Sequence, residues 1–406
     1  MQRRLTCTSI ALLILPALVV LAVSRSNAAE PETQAPAGQP FRVVPADIPN
    51  RGILFVDHEA NGRSGHGGNC IAECTNGDVI AFYSNVAGDI WGGHGVPGWS
   101  EYRRSRDSGK TWGEPVVLDY SKQMWEGDEV YSALVFSVIA APDGTLIATV
   151  VRFENAQWRK QLPPVYLLSR DHGHTWTGPY NFDDDATVDD IAMTFDTSFV
   201  HDGEVFVVFM GDARNMCPGP YSLHVSTDNG QSFSKRSDLP FDPRDYYSAA
   251  AVLDDGRIIV YSYPYRGRDT DERNMPYVTS KDGGRTWSDI KTAHFAKAIR
   301  NLQMSGKIGD YYFLHGRSGS YRGNPGNFVL YASKDGIHWD EGRLLMSRAD
   351  VPGGGDCYSA NEIIGKYDAK NPNRLLIQSS ISYSGSRVNI HHWWIENIAG
   401  TEAVSE

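Results

Sequence analysis

Helical periodicity is scarce in this chain of 406 residues, and the composition reads as all-β. Cysteine is scarce too. Of the five, Cys7 sits in an amino-terminal segment expected to be removed. Cys70 and Cys74 would stand about 13 Å apart in an extended strand, too far to bridge one another. Together with Cys217 and Cys357 they read as core thiols, the alternative being a zinc pair completed by His66. Positive charge is in deficit. The net charge of −11 argues against a nucleic-acid partner. No nucleotide, pyridoxal phosphate, haem or zinc-hydrolase motif is visible, so no cofactor and no metal are expected.

Turn residues, by contrast, are abundant, with 40 Gly and 21 Pro, and aromatics are plentiful, with 20 Tyr and 10 Trp. One phrase recurs. Ser105-Arg-Asp-Ser-Gly-Lys-Thr-Trp112 returns over Ser169–Trp176, Ser226–Phe233 and Ser280–Trp287, and in shortened form over Ser333–Trp339. Its aspartates are Asp107, Asp171, Asp228, Asp282 and Asp335. A period of roughly 50–65 residues marks a repeat architecture. Asp-x-Gly is turn chemistry: the carboxylate accepts from nearby backbone N–H groups, and Gly tolerates positive φ. The terminal Trp or Phe is an apolar anchor able to wedge between neighbouring sheets. Apolar or alternating runs precede the copies, as at 164–168, 221–225 and 328–332, and read as strands. Five copies suit a structural fastener better than one active site.

Arg3 and Arg4, the apolar run Ile10–Val23 and the small residues Ser26-Asn-Ala28 predict a secretory signal over residues 1–28. The mature protein is then secreted or periplasmic, with no membrane segment after cleavage. Residues 29–50 read as a Pro-rich linker, and residues 51–400 as one propeller domain.

A second repeat lies between the copies of the first. Asp128-Glu-Val-Tyr-Ser-Ala133, Asp245-Tyr-Tyr-Ser-Ala249 and Asp356-Cys-Tyr-Ser-Ala360 each lead into an apolar strand pair. Equivalent pairs begin near His66, Thr194 and Ile299. Six units predict a six-bladed β-propeller. Blade six would use Val388–Ile395 and borrow the amino-terminal strand Gly52–Val56, which removes free sheet edges. The leading end of each first strand then faces the hub: His66 to Asn69, Tyr131, Asp196, Tyr247, Arg300 and Tyr358. After the second strands come Asp89, Arg152, Arg214, Arg266 with Arg268, Arg317 with Arg322, and Arg387. Arginine recurring at one structural place suits a carboxylate or sulfate, because its fork bonds both oxygens. An acidic protein with an arginine-lined hub points to an anionic small ligand or glycan.

The repeated phrase resembles the Asp-box, and nearly all of the chain after residue 50 is similar to the sialidase (neuraminidase) superfamily of β-propellers. The resemblance implies glycoside hydrolysis by a Tyr nucleophile, an Asp acid/base and arginines gripping the substrate carboxylate. Tyr358 resembles the nucleophile and Asp89 the acid/base. Arg266 or Arg268 resembles the second arginine, and Arg317 or Arg322 the third. Two places depart from the family pattern. The first arginine's place reads His66-Gly-Gly-Asn69, and the place of the glutamate that assists the nucleophile reads Tyr247-Ser248. Phe41-Arg-Val-Val-Pro45 resembles the first-arginine phrase, but lies too far upstream of the strand and reads as coincidence. What remains is an anion pocket with Tyr, His and Asp. It also suits a polysaccharide lyase, in which an Arg, Asn or His neutralises a uronate and a Tyr or His moves the α-proton. His66, His94, Tyr247 and Tyr358 could serve there, with Asn69, Tyr131, Arg152 and Arg214 as further substrate contacts. A non-catalytic glycan-binding propeller is the third reading.

Overall fold

The computed structural model describes residues 41–45, 52–87, 96–154, 161–182, 197–212, 217–264, 272–321, 324–347, 358–367 and 373–397. The expected signal segment, and the expected linker as far as residue 40, lie outside them. Six antiparallel sheets form the blades of a β-propeller. From axis to rim, blade 1 is Cys70–Glu73, Val79–Val86, Gly98–Ser105 and Val116–Val117. Blade 2 runs from Tyr131–Ala140 to Thr177–Asn181, blade 3 from Ser198–His201 to Ser234–Leu239, blade 4 from Tyr246–Val252 to Lys291–His294, and blade 5 from Arg300–Met304 to Arg343–Met346. The inner strands touch their neighbours in sequence order, and Ser359–Ile364 of blade 6 touches Cys70–Glu73 of blade 1, so the ring closes.

The closure differs in one respect from the sequence reading. Ile53–Val56 does pair with Arg387–Asn397, as Ile53↔His392 and Val56↔Ile390. Phe41–Val44, inside the span read as linker, pairs with the same strand farther along, from Phe41↔Asn397 to Val44↔Trp394. Two short amino-terminal strands therefore share the outer edge of blade 6. The physical reason is burial: Phe41 and Val43 are buried against Phe313 and Trp393, which a solvated linker would not be. The phrase that resembled a substrate-binding arginine motif is thus a blade edge, with the Arg42 Nε donating to Glu396 at 2.7 Å.

Alternation along each strand supplies two buried faces. In blade 2, Ala133, Val135, Ala148 and Val150 pack toward blade 1, while Leu134, Phe136, Val151 and Phe153 pack toward blade 3. That is why these strands read as near-continuous apolar runs rather than half-polar ones.

The repeated phrase forms the turn between the third and fourth strands of blades 1 to 5. In the first copy the Asp107 carboxylate accepts from the Ser105 hydroxyl at 2.7 Å, the Thr111 N–H at 2.8 Å and the Thr111 hydroxyl at 2.6 Å, while Gly109 N–H donates to Ser105 Oγ at 2.8 Å. The copies at Asp171, Asp228 and Asp282 repeat this set. Each turn docks on the preceding blade. A Cβ on Gly173 would come 2.2 Å from Ile80 Cδ1 of blade 1, and one on Gly284 would come 2.2 Å from Leu223 Cδ2 of blade 3. The terminal aromatic follows: Trp176 meets Phe82 of blade 1, Phe233 meets Tyr166 of blade 2, and Trp339 meets Tyr261 of blade 4. The phrase fastens blade to blade, and its glycine is demanded by both positive φ and contact.

Candidate active site at the leading ends of the inner strands

The Tyr358 backbone is held from two sides. Its carbonyl accepts from Asn69 Nδ2 at 3.1 Å and from Ser380 N–H at 3.0 Å, and its own N–H donates to Ser380 Oγ at 3.1 Å. The half-buried phenol ring meets the buried His66 ring edge to face, with centroids 4.6 Å apart and planes at 62°. Blade 6 and blade 1 thus bring together three residues the sequence reading had selected. Gly68 allows it: φ is +64°, and a Cβ would sit 2.7 Å from the Val135 carbonyl of blade 2. This departure from the family pattern removes a guanidinium and lets the chain pass against its neighbour.

Arg317 lies across from Arg300 in the register of blade 5, half-buried like it. Two guanidinium-bearing residues therefore share one place beside the hub. Tyr247 of blade 4 is half-buried and sits at φ +56°, a conformation that bulky side chains rarely adopt. Its carbonyl accepts from the Tyr221 hydroxyl at 2.8 Å.

Tyr131 donates to the Glu129 carboxylate at 2.7 Å, and that hydrogen bond raises its pKa. The Arg152 guanidinium is tied to the backbone: its Nε and Nη2 both donate to the Pro163 carbonyl, at 3.2 and 2.7 Å. Asp89 and His94 lie outside the described residues, as do Arg214, Arg266, Arg268 and Arg322, and so does Asp196.

Three residues near these strand ends were not selected from sequence: Ser132, Asn301 and Ser318. Ser132 Oγ, Ser318 Oγ, both polar side-chain atoms of Asn301, and Asn69 Oδ1 are buried with no hydrogen-bond partner among the described residues. Buried polar groups are normally paired, and orphaned ones call for water or a ligand. Asn301 also has φ +52°. No local sequence signal separates these residues from other strand positions; only burial without a partner does.

A Tyr–Glu hydrogen bond does occur elsewhere, between Tyr83 and Glu101 at 2.9 Å. Tyr83 is fully buried, packed edge-on to Phe55 and to His58. Burial, then the Glu101 charge, pushes its pKa far up. It cannot meet a substrate, and the pair is structural. Among the described residues no group of three or more His, Cys, Asp or Glu side chains could hold a metal. Cys70 and Cys74 are both buried, and burial raises the Cys74 pKa to about 12.

Solved structures share this architecture. A protein of unknown function from Dyadobacter fermentans superposes with a TM-score of 0.67 at 14% identity, over 88% of this chain and 99% of that one. A Hadza microbial sialidase gives 0.60 at 16% identity, over 84% and 68%. The chain has the sialidase-type propeller fold. A Penicillium chrysogenum alpha-L-arabinanase complexed with arabinobiose gives 0.57 at 14% identity, over 87% and 99%. No protein-family model and no curated protein sequence matches the chain. At these identities the likeness is one of fold alone.

Proposed function

We propose that this propeller is a secreted glycan-active enzyme of the glycoside hydrolase type, acting on a terminal acidic sugar at the leading ends of its inner strands. The observation that carries the proposal is the joining of Tyr358, His66 and Asn69 at the same ends of the inner strands where Arg317 lies across from Arg300, together with buried polar atoms that lack partners among the described residues. Sialidases and an arabinanase with the same fold support hydrolysis as the reaction class. In this reading the guanidinium of Arg317 binds the substrate carboxylate. The Tyr358 phenol passes its proton to His66 as its oxygen attacks the anomeric carbon and the bond to the leaving oxygen breaks, and Asp89 protonates that leaving oxygen. Water then gives a proton to the Asp89 carboxylate, attacks the anomeric carbon and displaces Tyr358, which recovers its proton from His66 as the sugar is released.

The His66–Tyr358 contact favours a second reading. A His beside a Tyr is what abstraction of the α-proton of a uronate requires, with elimination of the 4-linked oxygen leaving an unsaturated sugar. A panel of sialosides and uronate polymers separates the two. Hydrolysis liberates free acidic sugar with no new ultraviolet absorbance, whereas elimination creates an absorbing double bond. Binding without turnover of any member would reduce the protein to a glycan-binding module.

A further inference from the structure

The trailing ends of the inner strands enclose something the candidate active site does not use. A cavity of about 560 Å³ lies there, bounded by blades 2 to 6. It opens on the face that carries the five repeated turns, since Gly336 of the fifth turn packs on Leu253 and Met304, and Met304 lines the cavity. The strand Arg300–Met304 spans the distance from the candidate active site, roughly 13 Å at 3.3 Å per residue.

Most of the polar lining is already satisfied. Thr197 Oγ1 donates to the Ser248 carbonyl at 2.7 Å, and Asn361 Nδ2 lies 2.9 Å from His315 Nε2. Glu362 accepts from Lys366 Nζ at 2.6 Å, so the two charges at the cavity neutralise one another. Gln303 is the exception. It is only 8% exposed, it lines the cavity, and among the described residues nothing hydrogen-bonds to its carboxamide. Its amide borders the open cavity, where it offers one donor pair and one acceptor to whatever occupies the space. Apolar side chains, among them Phe199, Val252, Met304 and Ile363, share the rest of the wall with polar groups.

An ion would enter without a free counter-charge, which makes a charged ligand unfavourable. A pyranose fits better, with hydroxyls for the amide and C–H faces for the apolar side chains. The volume lies in the ordinary range for small-ligand sites, roughly 300–1,000 Å³. We infer that this cavity is a binding site for a neutral saccharide of one or two rings, on the face opposite the candidate active site. It stands independently of what the other face catalyses.

The test uses the full-length protein carrying ¹³C-methyl methionine, titrated with lactose and with cellobiose. Met304 reports from the cavity wall, and its resonance is assigned by its loss in Met304→Leu. Met124, on the helix Asp119–Glu126 beside the leading end of blade 2, is the control. The expected result is a saturable shift of Met304 with Met124 unmoved, weakened at least tenfold by Gln303→Leu and unchanged by Tyr358→Phe. If Gln303→Leu does not fold, the near-isosteric Gln303→Glu takes its place with the same expected loss. The inference is overturned if neither sugar moves Met304, if removing the Gln303 amide leaves affinity unaltered, or if Tyr358→Phe abolishes the shift.

Discussion

The His66 and Tyr358 rings meet at 4.6 Å across the seam where the last blade closes on the first. Residues nearly three hundred positions apart in sequence thereby share one wall of the hub, and Asn69 ties that wall together through the Tyr358 carbonyl.

Tyr358→Phe should remove activity and spare the fold. Only the phenol oxygen is lost, and the Tyr358 hydrogen bonds described above are made by its backbone. A nucleophile or proton-transfer role is worth about two to four decades in rate. Steady-state kinetics beside a melting curve checks this, and near-wild-type turnover with an unchanged curve refutes the assignment.

Arg317→Ala should act on binding. Losing a charge-assisted contact in a partly desolvated pocket costs roughly 2–4 kcal/mol, so KM for an acidic sugar should rise by one to three decades. Equal binding of neutral and acidic glycans by the unmodified protein at this site would end the anionic-pocket argument.

Gly284→Ala should destabilise the protein by about 2–4 kcal/mol, from left-handed strain and from collision with Leu223. Gly256→Ala is the control. Its φ of +79° is similar, but nothing lies within 4 Å of the added carbon, so about 1–2 kcal/mol is expected. Chemical denaturation of both variants reads the difference directly. Equal losses would mean that the blade-to-blade contact contributes nothing.

Stability should fall in mild acid. Burial holds the pKa values of His315 and His392 near 3 instead of 6.5, and burial together with Arg63 does the same for His58. Above pH 6.5 these residues are neutral in both folded and unfolded chains and contribute no pH dependence. Below it the unfolded chain takes up protons that the folded chain refuses, so stability drops continuously from pH 6.5 toward 3. The turn carboxylates add to this at the lower end, because hydrogen bonds from Thr286 and Ser280 depress the Asp282 pKa, for example. Melting temperature measured across that window should decline steeply, and His315→Asn should flatten the slope. A flat profile would contradict the burial of these imidazoles.

Much of the architecture was legible locally. Asp-x-Gly turns recur because each needs only its own Ser, Asp, Gly and Thr to close its hydrogen bonds, so the blade count followed from the repeat. Tyr358, His66 and Asn69 were legible as leading-end residues for the same reason. Phe41–Val44 was not, because four residues carry too little pattern to distinguish an edge strand from a linker. Its partner, Arg387–Asn397, lies at the other end of the chain.

The sequence by itself determined the repeat, the turns and the strand alternation, because these depend on interactions within a few residues. Only the tertiary structure decided that the Arg152 guanidinium is tied to the Pro163 carbonyl while Arg317 lies across from Arg300. It alone decided that Asn301, Ser132 and Ser318 are buried without partners among the described residues, and that Gln303 stands over a cavity on the opposite face. Such properties belong to the closed ring. Where a side chain points, and whether anything meets it, depends on neighbouring blades whose residues lie fifty or more positions away.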